Sequence, residues 1–197
     1  MTMFLRLRRK ATSPRPEFRI LFGLTRLAVA TVAAAAVSAC AKPATVPAMV
    51  PDVAGVTSAA SPYRSAISVG TVSGGRGSAK LWTARVGNTE FQEALTRALT
   101  DSGLAAAQGG RYRLDSDLQK LEEPFAGFAM TVEATIAYRL ADTTNGAVVY
   151  QNTITTPATA TMDDALDGLA RNRIANERAI RANLRRLVEE LSALPRR

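Results

Sequence analysis

The sequence predicts an α+β fold: a two-layer domain in the order β-α-β-β-β-α, with a mainly antiparallel sheet packed by two helices. Three observations predict it. Apolar and polar residues alternate along Tyr112–Gln119 and again along Met130–Leu140, the period-2 pattern of strands wet on one face. Asn145-Gly146 lies between the second run and Val148–Thr156 and marks a hairpin, since an Asn-Gly pair tolerates positive φ. Near the C-terminus, Ile180, Leu184, Leu187, Leu191 and Leu194 recur at spacings of four and three, an apolar stripe for a helix lying on the sheet.

The elements follow in chain order. Ser65 to Val72 alternates as a short strand, and Gly74-Gly75-Arg76-Gly77-Ser78 makes a flexible connection after it. That connection lacks the Gly-Lys-Ser/Thr and the glycine spacing of a phosphate loop. Thr89 opens a helix with Gln92 as its capping-box partner, and Phe91, Leu95, Ala98 and Leu99 share one face of it. Gly103 sits in the C′ position where glycine commonly ends a helix. The next strand sends Tyr112, Leu114, Ser116 and Leu118 one way and Arg113, Asp115, Asp117 and Gln119 the other. After Glu122-Glu123-Pro124, the longer strand turns Met130, Val132, Ala134, Ile136, Tyr138 and Leu140 toward a core. Pro157 closes the last strand, and a long helix is expected from about Met162, with Asp163 and Asp164 placed at its positive N-terminus.

Extended backwards, the apolar stripe of that helix lands on Glu177, Arg173 and Ala170. Either the packing face changes there or this half contacts something else. Arg173, Glu177 and Arg181 form two i,i+4 steps, worth about 0.3–0.5 kcal/mol each as solvated ion pairs. The alternative is a docking face for a protein partner or an anionic lipid head group, with Arg171, Arg178, Arg185 and Arg186 adding charge.

Ahead of the domain, a basic stretch (Arg6, Arg8, Arg9, Lys10, Arg15, Arg19, Arg26), an apolar core from Leu27 to Val37 and a small-residue exit follow the order of a secretory signal. The core is shorter than the roughly 20 residues of a membrane span. Met3 or a later residue can equally be the start of the signal. Val37-Ser38-Ala39-Cys40 resembles the lipobox of bacterial lipoproteins: an aliphatic residue, a small residue, Gly or Ala, then Cys. The resemblance implies cleavage after Ala39 and acylation of Cys40, hence stable anchoring by several acyl chains. Ala41, in place of the Asp that retains such proteins at the inner membrane, implies the outer membrane, with the domain facing the periplasm. Residues 1–39 are then the signal peptide, 40–62 a lipidated, Pro- and Ala-rich flexible tether, and 63–197 one periplasmic domain.

Charge and chemistry narrow the function classes. Seven of the 25 Lys and Arg but one of the 17 Asp and Glu precede Cys40, so the mature part is only +2 and the formal +8 is no sign of nucleic-acid binding. The chain has no histidine, which excludes His-dependent triads and imidazole metal sites. With its one cysteine acylated, no disulfide is available. Glu122-Glu123, Asp163-Asp164 and Glu133 are read as solvated or capping carboxylates, and Gly-x-Ser-x-Gly and Ser-x-x-Lys are absent from the mature part. Trp82, Phe125 and Phe128 are loop aromatics that cover a groove or lie singly on the surface. No cofactor and no metal site are expected.

The cadence of Phe91 through Gly103 followed by Tyr112-Arg113-Leu114, behind a lipobox, resembles small periplasmic lipoproteins of envelope assembly and transport, such as the lipopolysaccharide-assembly lipoprotein and the ABC-type transport auxiliary lipoproteins. The segment 171–183 resembles the signature of a further lipoprotein family. The resemblance implies a non-enzymatic, membrane-anchored lipoprotein that binds a protein partner or lipid in envelope assembly or lipid transport. The alternatives are a self-assembling structural lipoprotein and a transferase-type enzyme using carboxylates and arginines.

Overall fold

β1 (Ile67–Ser73) and β2 (Tyr112–Glu122) run parallel, because α2 (Asn88–Asp101) carries the chain back across the sheet between them. β3 (Met130–Asp142) and β4 (Val148–Ala160) then add antiparallel, giving the order β1-β2-β3-β4, and α3 (Gly168–Ser192) returns over β3 and β4. A single turn, α1 (Val46–Met49), precedes the predicted elements. The computed structural model describes residues 44–75, 86–122 and 129–195. The α+β class and the β-α-β-β-β-α order are as the sequence predicts.

The inward residues of β3 are those of its alternation: Val132, Ala134, Ile136, Tyr138 and Leu140 are buried against the helices. Thr131–Thr159 (2.8 Å) and Thr135–Thr155 (3.0 Å) hydroxyl pairs bridge β3 and β4 on the exposed face. Two irregularities refine the pattern. One extra residue in β2, between Leu118 and Lys120, lets Leu121 pair with Ala134 and pack on the core beside Leu118. In β1 the register shifts between Val69 and Val72, and the Thr71 N–H turns to the Asp115 carboxylate at 2.8 Å. Gly70 allows this approach, since a Cβ there would lie 2.2 Å from Asp115 Oδ1.

Element ends depart from the sequence reading in three places. Helix α2 starts at Asn88 with Gly87 as its N-cap, so Thr89 lies inside the helix; the Asn88 carboxamide instead accepts from the Gly75 N–H at 2.7 Å. Its other end is as expected: Gly103 (φ +79°) donates to Thr100 O and Leu104 to Leu99 O, a Schellman closure. Pro157 lies within β4, opposite Glu133, which an edge strand tolerates because one side needs no donor. Finally, α3 begins at Gly168, with the Asp167 carboxylate accepting from the Ala170 N–H at 2.8 Å. Asp164 is taken up by the turn before it, accepting from the Thr161 N–H at 2.9 Å.

The core lies between the sheet and α2 and α3. Ile180, Leu184, Leu187 and Leu191 are fully buried, and each such side chain contributes about 1.5–3 kcal/mol relative to exposure. Among them sits Asn183, also fully buried. Its Nδ2 donates to Ile154 O (2.8 Å), Ala134 O (3.2 Å) and Thr156 Oγ1 (3.2 Å), and its Oδ1 accepts from the Tyr138 hydroxyl at 2.8 Å. Burial, and to a lesser degree the neighbouring Tyr150, raises the Tyr138 phenol well above its usual range, keeping it a neutral donor.

Residues 44–62 correct the expected tether. Ala44, Met49, Val53 and Thr57 are buried, and the Tyr63 ring packs at a tilt of 49° against Tyr112 with centroids 4.9 Å apart. The segment packs because its apolar residues, sparse as they are, meet α2 and α3 along a groove that neither helix fills.

Asn183→Ala is expected to lower the unfolding free energy by about 3 kcal/mol at unchanged m-value, because it strands the Tyr138 hydroxyl and leaves a void. Tyr138→Phe should cost about 1 kcal/mol, and the double variant less than the sum. Urea titration of the three variants reads this; strict additivity would show that the two side chains do not act as one network.

Candidate docking site on the long helix

Arg173, Glu177 and Arg181 are brought together on one side of α3, and what they meet is the chain's own N-terminal strap. Glu177 is buried and accepts from the Thr45 N–H (2.8 Å) and the Thr45 hydroxyl (3.1 Å) through one oxygen. Arg173 Nη1 lies 3.9 Å from that same oxygen. One turn on, Arg181 Nε donates to Ala48 O at 2.7 Å. Farther along, the Thr57 and Ser192 hydroxyls meet at 2.9 Å, and the Tyr63 hydroxyl reaches Pro195 O at 3.4 Å. The strap therefore runs alongside α3 in the same direction from residue 45 to residue 63. Within the molecule, the triad's carboxylate and one of its guanidiniums are occupied by the strap. The physical reason is the strap's backbone, whose unpaired N–H and C=O groups need partners wherever it is buried.

The opposite flank of α3 is equally engaged. Arg178 makes two bonds to Asp164, from Nη1 to Oδ2 (2.8 Å) and from Nη2 to Oδ1 (2.5 Å), and a third to Thr159 O (2.9 Å). This fork, with the Thr161 N–H, holds the Asp164 carboxyl down to about 2. Arg171, predicted as part of a charged display, is buried and donates through Nη1 to Ala165 O (3.0 Å) and Leu166 O (2.7 Å). At the C-terminal end, Glu190 accepts from the Tyr150 hydroxyl (2.7 Å), Asn152 Nδ2 (2.8 Å) and Arg186 Nε (2.7 Å). Burial pushes the Glu190 carboxyl up, but these three donors outweigh it and hold it below its usual range. Arg185 is the exposed member of the group with no acidic partner among the described residues, and with Arg178, Arg181, Arg186 and Glu189 it rims an open concavity of about 410 Å³.

A second concavity of about 340 Å³ lies on the sheet face that no helix covers, lined by Thr71, Ser73, Asp115, Asp117, Arg139 and Gln151 among others. Its carboxylates are already engaged: Asp115 by the Thr71 N–H and by Arg113 (3.1 Å), and Asp117 by the Ser73 hydroxyl (2.7 Å). Glu133 stands on the same face beside Pro157, too far along the sheet to join them in that concavity. No group of three or more potential metal ligands occurs among the described residues. No described helix is long and apolar enough to cross a membrane.

Cys40 and Ala39, the predicted anchor and cleavage positions, lie outside the described residues, as do Trp82, Glu123, Phe125, Phe128 and the segment 76–80. Sequence reasoning missed Asn183, although a signal existed: Asn172, Asn176 and Asn183 recur at helical spacing on what proves to be a buried side of α3. It also missed Thr45 and Ala48, for which no local pattern exists.

No protein-family model matches the chain, and no curated protein matches it either. Among solved structures, a Xanthomonas campestris protein assigned to the family DUF330 is similar in fold, with a TM-score of 0.54 at 21 % identity over 72 % of this chain and 92 % of that one. A candidate lipoprotein from Caulobacter crescentus CB15 gives 0.48 at 19 % identity, over 65 % and 88 %. A minor lipoprotein from Acinetobacter baumannii gives 0.45 at 13 %, over 68 % and 93 %.

Glu177→Ala is expected to release the front of the strap and to cost about 1–3 kcal/mol, since the Thr45 N–H and hydroxyl lose a buried acceptor. Hydrogen exchange at residues 44–49 should accelerate while β3 stays protected; unchanged protection would mean that apolar contacts alone hold the strap. Asp164→Asn addresses the other flank. A carboxyl depressed to about 2 stabilises fully above its unfolded value, near 4, and the contribution disappears as pH falls through 2. The variant should melt earlier than the parent at pH 7 and converge with it toward pH 2, read by thermal melts across that range.

Proposed function

We propose that this chain is a lipid-anchored envelope lipoprotein, held through Cys40 at the outer membrane with its domain in the periplasm. In this reading it acts by binding a protein partner or a lipid rather than by catalysis. The observation that carries the proposal is Val37-Ser38-Ala39-Cys40 at the end of an apolar core too short to span a bilayer. Two features of the domain support it. Arg171, Glu177, Arg178, Arg181 and Glu190 of α3 hold other chain segments in place, and Asp115 and Asp117 on the open sheet face are each met by a local donor. Neither arrangement resembles the paired, differently tuned groups that acid–base chemistry requires. The broad surface left for recognition is the helix-free face of the sheet, where Thr, Gln and Arg side chains surround the 340 Å³ concavity.

In-cell crosslinking of the tagged, lipidated protein at native expression, followed by purification and mass spectrometry, tests the binding role. Recovery of a transporter or barrel subunit is the expected result and names the pathway; recovery of the chain alone would favour self-assembly through the β4 edge. In parallel, Cys40→Ser should leave the precursor uncleaved and shift the membrane distribution, and an unchanged size and membrane fraction would refute the lipoprotein assignment.

A further inference from the structure

We propose that the turn between β4 and α3 is a membrane-contact point, with Leu166 and Met162 seated in the head-group and upper acyl region of the bilayer that anchors the chain. The inference rests on the acylation of Cys40 proposed above.

The argument begins with exposure. Leu166 is 81 % exposed, the most of any large apolar side chain among the described residues, and Met162, in the same turn, is 41 % exposed. Single exposed apolar residues are commonplace. This pair differs in being presented by a pinned backbone: Arg171 holds the carbonyls of Ala165 and Leu166, Arg178 grips Asp164 with two bonds, and the Asp164 N–H closes on Thr161 O at 3.1 Å. A backbone fixed at both ends of the turn does not let Leu166 fold back onto the core.

Position supplies the occupant. Glu177 and Arg178 are consecutive residues of α3; the first holds Thr45 and the second holds Asp164. The start of the strap and the Leu166 turn therefore flank the same turn of helix. Ala44 is buried there, and Cys40 is four residues upstream, so the acylated residue can lie no farther than about 14 Å from Ala44. A free tether of 23 residues would have let the domain stand several nanometres away in any orientation. With the strap docked, the part of the domain nearest the bilayer is the turn that carries Leu166 and Met162, just ahead of the N-terminal end of α3.

Charge identifies the kind of contact. Asp163, Asp164 and Asp167 in the turn offset Arg171, Arg173 and Arg178 behind it, so attraction to anionic lipid is not the source of binding. An apolar wedge beside an acyl anchor needs only the interface itself, and the contact should form on zwitterionic lipid and persist at high salt.

The test uses the full chain, processed in cells and reconstituted into vesicles of phosphatidylethanolamine and phosphatidylcholine. An environment-sensitive fluorophore is placed at Leu166→Cys, at Met162→Cys in a second preparation, and at Thr153→Cys, on the helix-free sheet face, as the reference position. Nitroxide-bearing lipid is expected to quench the labels at 166 and 162 by about twofold or more, to leave the label at 153 near its unquenched intensity, and to do so equally at low and high salt. Protein that floats with the vesicles while 166 and 162 behave like 153 would overturn the contact and leave the lipoprotein assignment standing. Protein that fails to float would overturn both. Agreement of 162 with 166 separates a property of the turn from a local effect of one substitution.

Discussion

The buried Asn183 amide is the constraint around which the two layers are arranged. An apolar stripe on α3 supplies most of the free energy of packing, but leucines slide past one another at modest cost, and hydrophobic burial is non-directional. Asn183 removes that freedom. Its amide, fully enclosed, has partners only where Ala134 O, Ile154 O, Thr156 Oγ1 and the Tyr138 hydroxyl converge between β3 and β4. Displacing the helix by one residue would leave several buried polar groups unmet, each at about 1–3 kcal/mol. Tyr138 belongs to the same device, since its hydroxyl donates to Asn183 Oδ1 inside the core.

Once α3 is seated, its other flanks become templates. Glu177 and Arg181 receive the strap, Arg178 and Arg171 receive the turn before the helix, and Glu190 receives Tyr150 and Asn152 from β4. The arginines that look from sequence like a charge display act largely as clamps on backbone carbonyls: Ala48, Thr159, Ala165 and Leu166 are all held in this way. Guanidinium suits the task because it offers several donors in a rigid plane and stays charged at every pH of interest. One helix thus organises the sheet on one side and two largely irregular segments on the others. Loss of its register would be felt at the N-terminus, at β4 and in the turn together.

The strap also changes the mechanical picture of the segment ahead of the domain. A Pro-rich leader of this length, if free, behaves as a semi-rigid spacer. Here Ala44, Met49, Val53 and Tyr63 are buried at intervals along it, so the spacer is part of the fold. Ala44, already buried, lies four residues after the predicted acylation position, so little free chain would separate an acylated Cys40 from the fold.

How much of this was legible in the residues divides along a physical line. Alternation in β2 and β3, the Asn145-Gly146 hairpin, the Gly103 cap and the apolar stripe of α3 are local patterns that repeat with the period of the element they build, and the α+β order follows from them by sequence alone. The resemblance of Val37-Ser38-Ala39-Cys40 to a lipobox is likewise carried by a contiguous string. The strap is different: its partners lie more than 130 positions away, at Glu177, Arg181 and Ser192, and its spaced apolar residues have no period to betray that they are buried. The same holds for Arg171 and Arg178, which look like surface charge until the turn they clamp is in place. By itself the sequence determined which segments become strands and helices and which faces they bury, because those depend on backbone geometry within a few residues. Only the tertiary structure decided what the polar flanks of α3 hold, because a buried N–H or carbonyl takes its partner from whatever the fold brings within 3 Å, wherever in the chain that partner lies.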